Sequence, residues 1–306
     1  MICVGNITVG GTGKTPHVEL LISILRKQYR IAVISRGYKR KSRGLKEVTL
    51  TSTAAEVGDE PKQIKQKYPE VRFVVDGNRR RAMRYLLALP EEERPEVVLL
   101  DDGFQHRYVH PSFTILLIDA QRELHDDELL PLGGLREPAT ARYRADCIIL
   151  TKCPHDMQPI KLRIMQRNLN LYAHQEIFFS RIHYQQPRAV RTLLGEAGSP
   201  LPKDALVIAL SGIASPGLFF SYLEERYELI DQLVYPDHHQ FRRKDFVAIS
   251  ERWQELCEQH SERPVYIVCT EKDAVRFTDS LGELPEELVK QLYFLPIETQ
   301  ILYKPQ

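Results

Sequence analysis

The chain has 306 residues, 43% hydrophobic and 27% charged, enough to bury one large core or two smaller ones and too apolar for a disordered or fibrous polymer. Its 42 Lys and Arg balance 41 Asp and Glu, so the overall field gives no general affinity for nucleic acid. No apolar run reaches the about 18 residues that a membrane-crossing helix needs, and no charged leader precedes an apolar signal region, so a soluble or peripheral protein is expected.

In chain order, short apolar runs alternate with helical stretches: Met1 to Val4, Ile31 to Ser35, Arg72 to Asp76, Val97 to Asp101, Thr114 to Asp119 and Cys147 to Thr151. Their hydrophobicity is continuous rather than alternating, which predicts strands buried on both faces of a parallel sheet covered by helices. After the first of them, Val18, Leu21, Ile22 and Leu25 make one apolar stripe behind Pro16 at a helix start. Residues 185–203 carry three prolines and two glycines and read as a connection. Beyond it, Ala205 to Ser211 and Pro264 to Cys269 again predict buried strands. Ser215-Pro216 predicts one helix start, and Phe246, Ile249, Trp253 and Leu256 fall at helical spacing in another. The expected architecture is α/β: a P-loop NTPase-type parallel sheet flanked by helices over residues 1–184, then a smaller α/β domain over 204–306 whose last residues can return to the first. The cysteines Cys3, Cys147, Cys153, Cys257 and Cys269 form no C-x-x-C pair, which suits buried thiols in a reducing compartment.

The decisive motif is Thr8-Val9-Gly10-Gly11-Thr12-Gly13-Lys14-Thr15, between the first predicted strand and the first predicted helix. Backbone amides in such a turn cradle phosphate oxygens, glycine permits positive φ and close approach, and the helix N-terminus adds its dipole. Lys14 would reach the β- and γ-phosphates of ATP, and the Thr15 hydroxyl would ligate the magnesium that bridges them. Thr8 stands where the pattern has its first glycine. The second element of such a site is a carboxylate at the end of a buried strand, which Val97 to Asp102 supplies; Asp101 would hold magnesium directly or through water.

The acceptor of the phosphate is less legible. A nucleotide-driven switch or motor is the alternative, but a guanine site wants Asn/Thr-Lys-x-Asp; Thr151-Lys152-Cys153-Pro154 ends in proline and Thr270-Glu271-Lys272-Asp273 has other spacing. A hydroxyl acceptor needs a carboxylate to take its proton, and Gly58-Asp59-Glu60-Pro61 offers two, with a solvated acidic turn as the plain alternative. His238 and His239, after Tyr235-Pro236-Asp237, have an intrinsic pKa of about 6.5 suited to proton transfer. Arginines at 36, 40, 43, 79, 80, 81 and 84 suit either phosphate and anionic-surface recognition or plain solvated faces.

Taken together, Val4-Gly5-Asn6-Ile7-Thr8, Ser35-Arg36-Gly37-Tyr38, Gly58-Asp59-Glu60-Pro61, Asp101-Asp102-Gly103-Phe104-Gln105-His106, Leu135-Arg136-Glu137-Pro138, Pro236-Asp237-His238 and Thr270 to Val275 resemble, in order, the tetraacyldisaccharide 4'-kinase family. The resemblance implies ATP- and magnesium-dependent phosphorylation of the 4'-hydroxyl of a tetraacylated glucosamine disaccharide 1-phosphate, in lipid A synthesis, by a protein peripheral to the cytoplasmic face of a Gram-negative inner membrane. It implies Lys14 and Thr15 at phosphate and magnesium, Asp101 as the metal-side acid, Asp59 as the base supported by His238, and Asp102 in the catalytic set. Glu60, Arg79, His106 and Arg136 match further site positions. Family members carry an apolar, membrane-associating helix ahead of the phosphate loop, whereas this sequence opens inside the first strand. Asp76-Gly77-Asn78-Arg79 also departs from the family, where arginine often follows the aspartate directly.

Overall fold

The computed structural model describes residues 1–302 other than 123, 125, 126, 155, 156 and 238. The chain divides into two compact units, Met1–His183 with the stretch from Glu298 onward, and Tyr184–Ile297.

The first unit opens with β1 (Ile2–Gly5), α1 (Lys14–Leu25), β2 (Ile31–Ser35) and β3 (Lys46–Val48). Then come α2 (Ala54–Val57), α3 (Asp59–Lys67), β4 (Arg72–Val75), α4 (Arg79–Leu87) and β5 (Val97–Asp101). It continues with β6 (Phe113–Asp119), β7 (Cys147–Thr151), α5 (Pro159–Asn168) and β8 (Glu176–Tyr184). The sheet order is β8-β7-β6-β1-β5-β2-β4-β3, parallel throughout except that β3 runs antiparallel to β4 at the edge.

Successive residues of one strand feed opposite faces, which is why the runs are continuously apolar. Leu99 packs with Val18 and Ile22 of α1, while its neighbours Val98 and Leu100 pack with Ala82 and Leu86 of α4. Further along, Leu162 and Met165 of α5 cover Leu116, Ile118, Ile148 and Leu150. Four of the five cysteines are buried and all are free; burial pushes the thiols of Cys3 and Cys147 up to about 12.

The second unit has β9 (Arg188–Ala189), β10 (Leu206–Ser211), α6 (Gly217–Glu224), β11 (Glu228–Val234) and α7 (Arg243–Gln259). It ends with β12 (Val265–Thr270), α8 (Glu271–Phe277), α9 (Glu286–Lys290) and β13 (Leu292–Leu295). Its sheet runs β11-β10-β12-β13-β9, with β9 antiparallel on β13. Phe246, Ile249, Trp253 and Leu256 of α7 line its core, as their spacing predicts. Residues 185–203 contribute β9 and the buried Val190 to this unit; a two-residue strand is too short to leave a periodic signal. The helix after Ser215-Pro216 starts at Gly217, with Pro216 as its cap and no side-chain capping bond. Finally β14 (Ile297–Leu302) returns to the large sheet beside β8.

The Thr270-Glu271-Lys272-Asp273 motif is a structural joint here. Thr270 caps α8 by accepting the Asp273 amide, and its hydroxyl donates to Asp273 Oδ2 at 2.6 Å. The fully buried Asp273 also takes the Gly212 amide at 2.8 Å and Arg276 Nη1 at 2.7 Å, tying the end of β10 to α8.

Candidate active site

Strands β1, β5, β2 and β4 lie side by side and parallel, so their carboxyl ends open on one edge of the sheet. In open α/β sheets that edge is where ligands bind. Each of these four ends carries a motif: residues 6–15 after β1, Asp101-Asp102 at β5, Ser35-Arg36-Gly37 at β2 and Asp76 to Arg79 after β4.

The loop after β1 has Gly10 at φ 99° and Gly13 at φ 82°, conformations that an L side chain rarely adopts. A Cβ at Gly10 or Gly11 would meet nothing within 4 Å, so one side of the loop is open. The first amides of α1, from Lys14 on, have no intrahelical acceptor and carry the positive end of the helix dipole. Thr8 is buried and bridges to Leu135, while the Val9 amide donates to Gly134 O at 2.7 Å and Arg122 Nη1 to Val9 O at 3.1 Å. The segment Gly133 to Arg136 thus splints the start of the loop, a structural use for threonine where the common pattern has glycine. Gly5 is required by packing, since a Cβ there would lie 2.6 Å from Phe104 Cβ.

Asp101 is buried and accepts the Ser35 hydroxyl at 2.9 Å. Burial first, then the charges of Asp102 and Glu60, push its carboxyl up to about 6, against the pull of Ser35 and Lys14. Asp102 adopts φ 49°, a cost that aspartate tolerates better than most residues and that aims its carboxylate at two cations. Lys14 Nζ lies 3.6 Å and Arg136 Nη1 3.3 Å from its Oδ1. Two adjacent carboxylates, with Glu60 close enough to raise Asp101, gather oxygen donors of the kind magnesium prefers. The residues present therefore fit a divalent cation.

A pH dependence follows with a definite sign. Asp101 is an acid whose pKa is raised in the fold, so below about 6 it keeps a proton that must leave before the oxygen can take a cation. Magnesium affinity is expected to fall by up to about tenfold per pH unit below 6, as one-proton competition requires, and calorimetric titration of the protein with MgADP between pH 5 and 8 checks it. An affinity flat across that range would contradict the assignment. By linkage the charged Asp101 works against stability above pH 6, and that penalty fades as pH falls toward the ordinary carboxylate range.

Gly58-Asp59-Glu60-Pro61 is not a free acidic turn. Gly58, at φ 99°, separates α2 from α3 and places Asp59 and Glu60 in the first turn of α3, where the helix dipole favours negative charge. A Cβ on Gly58 would meet Tyr38 O at 3.2 Å, and one on Gly37 would meet Val57 O at 2.8 Å, so the motif after β2 and this acidic motif touch backbone to backbone.

Arg79 is buried and donates to Asp76 O at 2.6 Å. Burial lowers its pKa, opposed by the charges of Asp101 and Asp102. The carboxylate of Asp76 instead pairs with Arg81, at 2.6 and 2.8 Å, which is how the shifted arginine spacing resolves. His106 lies close to Arg79 and Arg80; burial and those two charges lower its pKa and keep the imidazole neutral. Lys14, Asp101, Asp102, Glu60, Arg79, His106 and Arg136 are thus linked by contact or by charge within the first unit.

Comparison with known proteins gives this edge its context. The family model described as tetraacyldisaccharide-1-P 4'-kinase matches residues 1–306. The tetraacyldisaccharide 4'-kinase of Porphyromonas gingivalis is 47% identical over 303 residues, covering 99% of this chain and 84% of the relative. The chain belongs to the tetraacyldisaccharide 4'-kinase family. The Bacteroides thetaiotaomicron kinase of that name is 45% identical over 314 residues, covering 100% of this chain and 81% of its own. Among solved structures, an "apo" form of LpxK from Aquifex aeolicus in complex with ATP aligns with TM-score 0.72 and 27% identity, over 98% of this chain and 84% of that one.

For this kinase family member, the roles of several supporting residues escape sequence reasoning. Ser35 opens the Ser35-Arg36-Gly37-Tyr38 motif, but only the fold shows that its hydroxyl donates to Asp101. Glu137 forms ion pairs with Arg144 and Arg107, fixing the segment that presents Arg136. His17, one turn into α1, contacts the loop after β1 at Gly13 O. In the second unit Asp237 lies 3.6 Å from Lys272, and His239 lies 3.1 Å from Asp245. His238 is outside the described residues. Among the described residues no helix is long and apolar enough to cross a membrane.

Proposed function

We propose that this chain transfers the γ-phosphate of ATP to the 4'-hydroxyl of a tetraacylated glucosamine disaccharide 1-phosphate, a reading supported by its membership of a family named for 4'-kinase action on a tetraacyldisaccharide 1-phosphate. The observation that carries the reading is the Lys14–Asp102–Arg136 contact beside the buried Asp101, at the mouth of a glycine loop with one open side.

In this reading the loop amides from Gly10 to Thr15 hold the phosphates and Lys14 spans the β- and γ-phosphates. Thr15 and Asp101 would hold magnesium, which when bound neutralises charge building on the transferring group. Asp102 orients Lys14 and Arg136, so that both cations stand ready before nucleotide arrives. Asp59 takes the proton of the acceptor hydroxyl, with Glu60 beside it in the same helical turn. Arg79, His106 and Arg136 contact the anionic parts of the substrates. The acceptor is a lipid, so we further propose that the chain works at the cytoplasmic face of the inner membrane as a peripheral protein.

The test is transfer of labelled γ-phosphate from MgATP to the tetraacyldisaccharide 1-phosphate in detergent micelles, with a lipid-free blank. Lipid-dependent product supports the reading; ATP hydrolysis without lipid product would replace it with a nucleotide-driven switch or motor. Asp59→Ala is expected to bind MgADP as the wild type does while losing about 10²- to 10⁴-fold in turnover, the usual worth of a general base. Turnover within threefold of wild type would remove Asp59 from that role.

A further inference from the structure

Two consecutive carbonyls of the phosphate loop, those of Thr12 and Gly13, are held from behind by buried side chains. Thr151, at the tip of β7, places its Oγ1 3.0 Å from Thr12 O and 3.3 Å from Ile118 O, so its one proton goes to the nearer acceptor or is shared between them. His17 places Nδ1 2.7 Å from Gly13 O, and its Nε2 lies 2.8 Å from the hydroxyl of Ser180 on β8. Residues 17, 151 and 180 are all buried, with exposures of 4%, 1% and 1%.

The tautomer follows from the partners. A carbonyl only accepts, so Nδ1 carries the proton, and the unprotonated Nε2 accepts from Ser180. Burial holds the ring in this neutral form, depressing its pKa to about 4. A third side chain completes the arrangement: Asn6 Nδ2 donates to Thr12 Oγ1 at 2.9 Å.

The consequence comes from peptide geometry. In a trans peptide the C=O and the following N–H point in opposite directions. Drawing Thr12 O back toward Thr151 turns the Gly13 N–H outward, and drawing Gly13 O back toward His17 turns the Lys14 N–H outward. The Gly13 carbonyl also accepts the His17 amide at 3.2 Å, as the first turn of α1 requires, so the imidazole reinforces an orientation the helix begins. Glycine at position 13, at φ 82° and ψ 27°, has no Cβ to restrain these planes.

We propose that His17, backed by Ser180, together with Thr151, forms a positioning clamp that presets the Gly13 and Lys14 amides for a nucleotide phosphate. The inference rests on the kinase reading. It predicts that the clamp acts on nucleotide affinity more than on the fold, because its effect is to remove a reorganisation that phosphate binding would otherwise have to impose.

The test measures the dissociation constant of MgADP by calorimetry, the KM for ATP and the melting temperature, on wild type, His17→Phe, His17→Asn, Thr151→Val and Ser180→Ala. His17→Phe keeps a flat buried ring without a donor, and Thr151→Val keeps the shape without the hydroxyl. Each is expected to weaken MgADP binding and raise KM for ATP about three- to tenfold, the range of one lost hydrogen bond, with kcat at saturating ATP little changed. His17→Asn, whose amide can replace Nδ1, is expected to recover most of the affinity, and Ser180→Ala to lose less than His17→Phe. Should His17→Phe not fold, Thr151→Val and Ser180→Ala carry the same readouts. Variants that melt earlier but bind MgADP as tightly as wild type would overturn the clamp and leave these residues as packing. Wild-type protein that fails to bind MgADP would instead overturn the kinase reading itself.

Discussion

Lys14→Ala is expected to lower lipid phosphorylation about 10³-fold or more in kcat, roughly 4 kcal/mol of transition-state stabilisation, while the protein stays folded. Lys14 begins α1 directly after Gly13, so its ammonium is placed by a rigid turn rather than by a mobile side chain alone. Its contact with Asp102, at 3.6 Å with both groups partly exposed, is too long and too wet to add much stability, which fits a side chain available to exchange one anion for another. Removing it also leaves Asp101 facing Asp102 and Glu60 with one fewer opposing cation, which raises the Asp101 carboxyl further and changes the attraction of the site for a divalent cation. The loss should therefore show in both kcat and the magnesium dependence, measured by phosphate transfer across a magnesium series. Activity within tenfold of wild type would mean that Lys14 does not meet the transferring phosphoryl group.

The second large effect lies in the second unit and concerns stability. Asp273→Ala is expected to cost about 3–5 kcal/mol, because it removes one partner of a buried ion pair. Arg276, whose side chain is 6% exposed, would keep its bond to Gly212 O but lose the carboxylate 2.7 Å away. The Gly212 amide and the Thr270 hydroxyl would lose their acceptor together. With a urea slope of about 2 kcal/mol per molar, the unfolding midpoint of this unit should move down by about 2 M. A shift under about 0.5 M would show that the network is replaceable by water. Asp273→Asn keeps the volume and part of the bonding and should fall between wild type and Asp273→Ala.

These two residues also mark how far the sequence reaches. Gly-Lys-Thr between an apolar strand and an amphipathic helix is a local pattern, and it is enough by itself to predict a phosphate loop. The strands were legible for a similar reason: burial on both faces demands unbroken runs of Val, Ile and Leu, as in Val97 to Asp101. The Thr-Glu-Lys-Asp motif shows the limit. Its residues were visible, yet their work depends on Gly212, which lies 61 positions away. Likewise nothing local in Gly37 or Gly58 announces that each is glycine because the other's segment passes within van der Waals distance. Asp102 and Arg136 meet across 34 positions, and His17 reaches Ser180 across 163. Such pairings belong to topology, and a single sequence carries no periodicity that encodes them.

The return of β14 to the large sheet bears on how the chain is made. β8 is nine residues long and is complete by Tyr184, but the strand that lies along its outer side is Ile297–Leu302. Between the two comes the whole second unit. A nascent chain emerging from the ribosome thus carries β8 as an open edge, with a row of unpaired backbone groups, until the whole second unit and β14 after it have been added. The second unit, whose five strands are continuous in sequence, can settle in that interval, so the first unit is begun first and finished last.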